Sequence, residues 1–133
     1  MIKIITSGKR KTSVARAILT EGDGKITINK KNYLSLLIFD KLKISEPLRI
    51  AEQIIGKIAY NVDIVVRGGG EKSQIEAARL ALARAFVGVT NSKELADAYI
   101  NYDRSLLVAD VRRKEAYKPG DSKARAKRQT SYR

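Results

Sequence analysis

The sequence contains no cysteine and no histidine in its 133 residues. The first absence excludes disulfides, thiol nucleophiles and cysteine-ligated zinc, and is compatible with an intracellular protein. The second removes the commonest general base near neutral pH and the commonest metal ligand, leaving carboxylates, lysine and tyrosine for any catalysis. Tryptophan is also missing, and the six Tyr and two Phe are scattered rather than gathered into a stacking platform for single-stranded bases. The longest apolar run, around Leu36 to Phe39, is far too short to span a bilayer. Met1 to Ile5 lacks the features of a signal peptide, so a cytosolic chain is expected, with no membrane partner.

What the sequence has in excess is positive charge. Lys plus Arg number 27 against 14 Asp plus Glu, a net charge of +13, and the pI is near 10.1. Such self-repulsion favours an anionic partner. The charge is densest at the end: from Val111 onward nine basic residues stand against two acidic ones. Residues 123–133 carry Lys123, Arg125, Lys127, Arg128 and Arg133 with no acid and no aliphatic side chain larger than alanine. A segment of that composition buries too little apolar surface to offset the entropy of ordering, so it is expected to be disordered until polyphosphate neutralises it. The organisation expected is one globular body, residues 1–110, followed by a basic tail, 111–133.

Along the body, Val14 to Thr20 and Lys25 to Asn29 read as strands, and Glu21-Gly22-Asp23-Gly24 between them supplies turn residues, which predicts a hairpin. Ser7 to Ser13, with Lys9, Arg10 and Lys11 beside glycine and hydroxyls, reads as a loop, either a solvated connection between strands or one suited to phosphate. Tyr33 to Phe39 predicts a short helix, and Ser45-Glu46-Pro47 a second helix start capped by Ser45. Tyr60 to Arg67 alternates with Val62, Ile64 and Val66 on one side and predicts a core strand ending at Gly68-Gly69-Gly70. Glu71 to Val87 predicts the clearest helix, with Ile75, Ala78, Leu82 and Phe86 inward, Arg79 at the margin, Arg84 facing away and Gly88 as terminator. Asn91 to Glu94 predicts a capped helix reaching about Ile100, and Leu106 to Val108 a last strand. The fold class is therefore α+β, a mixed sheet with helices on one face.

The chemistry-bearing candidates are few. Three glycines between a strand and a helix admit a nucleotide-phosphate loop, a tight turn for close packing, or backbone contact with RNA phosphates. Gly70-Glu71-Lys72-Ser73 is not a phosphate-binding Gly-Lys-Ser, and the spacing required of the dinucleotide motif is absent. Asp103 and Asp110 each have an arginine close in sequence, Arg104 and Arg112, which suits ion pairs better than acid–base catalysis. Tyr117 and Tyr132 lie in basic sequence and are placed to stack on bases, whereas Tyr33, Tyr60 and Tyr99 border apolar segments and are expected to pack.

Three motifs then fit one family. Gly8-Lys9-Arg10-Lys11-Thr12-Ser13-Val14-Ala15-Arg16 resembles the N-terminal signature of the small-subunit ribosomal protein S-nine family. Gly68-Gly69-Gly70 with Ser73, Gln74, Ala77 and Ala81 to Ala85 resembles its central signature, and Leu106 to Glu115 with Gln129 to Arg133 its C-terminus. Tyr102 to Asp110 and the Tyr-Arg ending are more similar to archaeal and eukaryotic members than to bacterial ones. Phe86, in place of leucine, and Lys118-Pro119-Gly120-Asp121, in place of a glycine-rich linker, depart from the pattern.

The resemblance implies the fold of the second domain of ribosomal protein S-five, with a left-handed crossover, and a place in the head of the small subunit without catalysis, cofactor, metal or small-molecule substrate. It implies small-subunit ribosomal RNA, neighbouring head proteins and the peptidyl-site transfer RNA as partners. The implied RNA contacts are Lys9, Arg10, Lys11, Arg16, Gly68, Gly69, Gly70, Lys72, Arg112, Arg113, Lys114, Lys118, Lys123, Arg125 and Lys127. Those implied for transfer RNA are Arg128, Tyr132 and Arg133. Arg112 to Arg133 extend to about 70 Å at roughly 3.3 Å per residue, enough to link a peripheral body to an interior site. Two alternatives stay open at this level: an enzyme of the same fold class using Gly68 to Gly70 for a nucleotide phosphate, and a non-ribosomal RNA-binding protein.

Overall fold

The computed structural model describes residues 3–107. The N-terminal signature forms a β-hairpin: β1 (Lys3–Arg10) pairs antiparallel with β2 (Ser13–Glu21), with Arg10 opposite Ser13, so that Lys11 and Thr12 alone make the turn. The expected loop from Ser7 to Ser13 is thus mostly strand. The two-residue connection is closed by Lys11 at φ 53°, the left-handed conformation tight hairpin turns require.

β3 (Ile26–Ile28) follows, but it does not pair with β2 as the turn residues predict. The sheet order is β1-β2-β5-β3-β4, with β4 (Lys31–Asn32) at one edge and β5 (Tyr60–Arg67) inserted between β2 and β3, antiparallel to the first and parallel to the second. The polar turn is held against the start of β5 instead. Asn61 accepts at Oδ1 from the backbone N–H groups of Asp23 (3.1 Å) and Lys25 (3.0 Å), and the Gly22 N–H donates to the Ala59 carbonyl at 3.0 Å. Burial explains the insertion: Val62, Ile64 and Val66 need neighbours on both sides, and a central strand has them. β3 and β4 form the true second hairpin, through Asn29 and Lys30, both at positive φ.

Between β4 and β5 lie a short 3-10 turn, Tyr33–Ser35, and α1 (Ile38–Ile55). Helix α1 runs straight through Pro47, where the sequence predicts a start. Ser45 is not its cap; its Oγ donates back to the Lys41 carbonyl at 2.7 Å. A proline in a helix interior costs about 3 kcal/mol. Here the ring is buried in the core, and the Pro47 carbonyl accepts the Tyr99 hydroxyl at 2.8 Å.

Helix α2 (Glu71–Thr90) packs on β1, β2 and β5, α1 lies beside α2, and α3 (Lys93–Tyr102) lies against both. Gly88 falls inside α2, which ends at Asn91 in the left-handed conformation, its N–H donating to the Val87 carbonyl. α3 is capped as expected, the Ser92 Oγ accepting from the Leu95 N–H at 3.2 Å. Leu106 closes a 3-10 turn, Arg104–Leu106, instead of forming a strand, and is fully buried; Val108 lies outside the described residues.

One core results. Ile26, Ile28, Val62, Ile64, Val66, Ile75, Leu82 and Phe86 belong to a single buried cluster, joined by Ala15, Ala17 and Leu19 of β2. All the buried strand residues lie on the helix side. The α+β class with helices over one face of a mixed sheet is therefore observed.

Candidate nucleic-acid interface

Alternation along the strands decides where the charges of the N-terminal signature go. Side chains in a strand point to opposite faces in turn. Lys9 is exposed on the uncovered face, whereas Arg10 turns toward the helices, where its Nε donates to Glu76 Oε2 at 2.6 Å and its side chain is 17% exposed. Lys11 is exposed at the tip of the turn. Arg16 is exposed on β2, two residues along from Val14.

Register completes the uncovered face. Val14 stands opposite Lys9 on one side and Arg67 on the other, so Lys9, Val14 and Arg67 form a row across β1, β2 and β5. The next row is Ser7, Arg16 and Val65, and the one beyond it Ile5, Ile18, Asp63 and Thr27. With strands about 4.8 Å apart, Lys9, Arg16 and Arg67 converge on one end of the sheet. The only carboxylate in these rows, Asp63, accepts the Thr27 hydroxyl at 2.9 Å and sits toward the other end. The result is a cationic surface spaced by Val14 and Val65, both exposed. Arg67 escapes motif reading, although the period of Tyr60 to Arg67 already places it outward, opposite in phase to Val66.

The glycine loop adjoins this end. Gly68 and Gly69 have φ of 79° and 66°, and a Cβ on Gly69 would stand 2.1 Å from Ser13 Oγ. The buried Ser13 donates to the Gly68 carbonyl at 2.9 Å, and Gln74 Nε2 donates to the same oxygen at 3.1 Å. Gly68 and Gly69 therefore serve the tight-turn reading: they lock β5 to the first hairpin. Gly70 is different, with extended backbone, no neighbour within 4 Å of a built Cβ, and no side chain capping α2. Lys72 is exposed in the first turn of α2.

Two arginines of α2 organise the far side. Arg79 bonds Glu46 of α1 through Nη2 and reaches Asp103 Oδ2 at 3.4 Å, so the partner of Asp103 is Arg79 rather than its sequence neighbour Arg104. Arg84 does not face away: its Nε donates to the Leu107 carbonyl at 3.1 Å and its Nη1 to the Ser7 carbonyl at 2.9 Å. The last described residue is thereby held beside β1, the edge strand that carries Lys9. Tyr99 is fully buried, and burial pushes its phenol well above the ordinary tyrosine range, which makes it a neutral hydrogen-bond donor to Pro47 and a packing residue, as expected. Asp110 and all the tail residues, Arg112, Arg113, Lys114, Tyr117, Lys118, Lys123, Arg125, Lys127, Arg128, Tyr132 and Arg133, lie outside the described residues.

A basic α+β body with one sheet face packed and the other left open and charged belongs, by class, with the ribosomal proteins, structural components rather than enzymes. More particularly, the chain belongs to the ribosomal protein S9/S16 family, whose model matches residues 8–133. It is 49% identical over 132 residues to the small ribosomal subunit protein uS9 of Methanococcus vannielii, covering 96% of each chain. It is 48% identical, over the same share, to proteins of that name from two strains of Methanococcus maripaludis. These relatives are archaeal, in keeping with the likeness of the motifs to archaeal and eukaryotic members.

Proposed function

We propose that this chain, as a component of the small ribosomal subunit in the cytoplasm, binds ribosomal RNA through the uncovered sheet face and its basic C-terminal residues. The row of Lys9, Val14 and Arg67 beside Arg16 carries the reading: cations converge on the sheet face that, among the described residues, no helix covers. Lys9, Lys11, Arg16 and Arg67 contact phosphates, and Val14 and Val65 give sugars an apolar surface between them. Arginine's planar fork binds phosphate bidentately where lysine offers a point charge. Gly70 and Lys72 extend the same contact around the start of α2, whereas Gly68 and Gly69 support the loop from behind. Arg10, engaged by Glu76, supports the hairpin.

The tail continues the interface. Arg112, Arg113, Lys114, Lys118, Lys123, Arg125 and Lys127 neutralise ribosomal RNA, and Arg128, Tyr132 and Arg133 reach the peptidyl-site transfer RNA. The mechanism is counterion release from folded RNA, which makes affinity fall steeply with salt. The test is binding of the full chain to small-subunit ribosomal RNA across a salt series. Replacing Lys9, Arg16 and Arg67 together by Gln is expected to flatten the log–log slope by about 0.7 to 0.9 per lost contact. An unchanged slope in the triple variant refutes the sheet face as the RNA surface.

A further inference from the structure

A surface helix with one buried face is ordinarily polar on the other. The second half of α1 obeys this, with Arg49 and Gln53 outward. Its first half does not. Ile44 and Leu48 already fill the core, yet Ile38, Phe39 and Leu42 are exposed on the opposite side, Phe39 at 77%. Leu34 and Leu37, just before the helix, are exposed as well, Leu37 at 73%. At 3.6 residues per turn, Lys41 and Lys43 fall on either side of the Ile38–Leu42 stripe, and Lys43 lies 3.7 Å from Glu76 Oε1 of α2. Lys30 and Lys31 add two exposed cations just before Leu34. Past Leu42 the surface dips into a hollow of about 510 Å³ between α1 and α3, lined by Leu42, Glu46, Arg49, Ile50, Gln53 and Tyr102. A contiguous apolar surface of this kind marks a protein contact.

The rim decides what covers it. Ribose and phosphate cannot satisfy five large aliphatic and aromatic side chains. The chain's own residues from Arg112 onward carry nine cations against two acids and would set net like charge against Lys30, Lys31 and Lys41. A second copy brings another net +13. We infer that the N-terminal half of α1 docks a second protein of the same assembly, through a segment presenting an apolar anchor flanked by Asp or Glu. The anchor seats among Leu37, Phe39 and Leu42, and the acids meet Lys30, Lys31 and Lys41 at the rim, where charge selects the partner and apolar burial holds it. The inference rests on membership of the subunit but not on the sheet face, because α1 lies on the side of the sheet where the helices pack.

The test places a photoreactive benzophenone side chain at position 39 of the full chain, assembled into small subunits of its own cell. Irradiation is expected to link it to one peptide of another subunit protein, with acidic residues within a few positions of the link. Leu42→Glu in that background is expected to lower the yield about tenfold, the loss a central interface residue gives, and Leu42→Lys distinctly less. Both positions are solvent-exposed, so thermal unfolding of the isolated variants should match the parent. Links to ribosomal RNA, to a second copy, to residues 108–133 of the same chain, or to nothing each overturn the inference, as does a larger loss with Lys than with Glu. Footprinting of ribosomal RNA by the Lys9, Arg16 and Arg67 variants in the same particles reports separately on the sheet face.

Discussion

Adjacent residues of one strand do opposite work. Lys9 faces outward and Arg10 inward, so a motif that reads as three equivalent cations divides into one on the open face, one at the turn and one tied to Glu76. Arg10→Ala is expected to lower stability by at most about 1 kcal/mol, because Glu76 remains partly hydrated. It should leave the salt dependence of RNA binding unchanged, the reverse of Lys9→Ala; melting curves beside salt titrations separate the two. Tyr99 makes a sharper case. Tyr99→Phe removes a buried hydrogen bond, the hydroxyl's to the Pro47 carbonyl, and should cost about 1 kcal/mol. Because burial raises the folded-state pKa of Tyr99 above its unfolded value, its contribution is complete below the ordinary tyrosine pKa of about 10 and is lost as pH rises further. Alkaline unfolding of the parent should therefore steepen above about pH 10, and Tyr99→Phe should remove that added slope. Ultraviolet titration should show Tyr99 ionising only as the chain unfolds, a step absent from Tyr99→Phe.

At the scale of elements, periodicity and pairing were legible to different degrees. The strand Tyr60–Arg67 and the inward set of α2 follow from alternation and from three- and four-residue spacing, which are local properties. Strand order is not local. Glu21 to Gly24 has hairpin chemistry, yet β5 separates β2 from β3 because its apolar side chains take the sheet centre. Pro47 misleads for a related reason: burial of its ring in the core offsets a cost that sequence alone assigns to a helix boundary. The glycines can be sorted in the same way. A Cβ on Gly8 would stand 2.3 Å from the Ala77 carbonyl oxygen and 2.7 Å from the Ala81 nitrogen, so β1 and α2 meet there backbone to backbone. Gly8→Ala should destabilise by about 1 to 3 kcal/mol, the range of overpacking. Gly70→Ala, with open space around it, should stay within about 0.5 kcal/mol of the parent in denaturant titrations. If the loop contacts phosphate through its backbone, Gly70→Ala should still weaken RNA binding.

For the whole molecule, the arrangement is directional. RNA is assigned to the open sheet face, protein to the exposed start of α1, and the chain leaves the described body at Leu107, pinned by Arg84 beside β1. Residues 108–133 can extend to about 85 Å at roughly 3.3 Å each, which lets a body at the subunit surface act at an interior site. On the proposal that Arg133 meets transfer RNA, its guanidinium would offer a bidentate fork to a phosphate of the anticodon stem-loop. Tyr132 can stack against a neighbouring base while Arg128 holds the approach. Deleting Tyr132 and Arg133 is therefore expected to weaken retention of peptidyl-site transfer RNA and decoding accuracy while subunits still assemble, since Lys9, Arg16, Arg67 and the earlier tail cations keep the body in place. Filter binding of transfer RNA and a miscoding reporter in truncated ribosomes measure this. Parental values in both, with normal assembly, would leave the terminal residues as RNA packing alone.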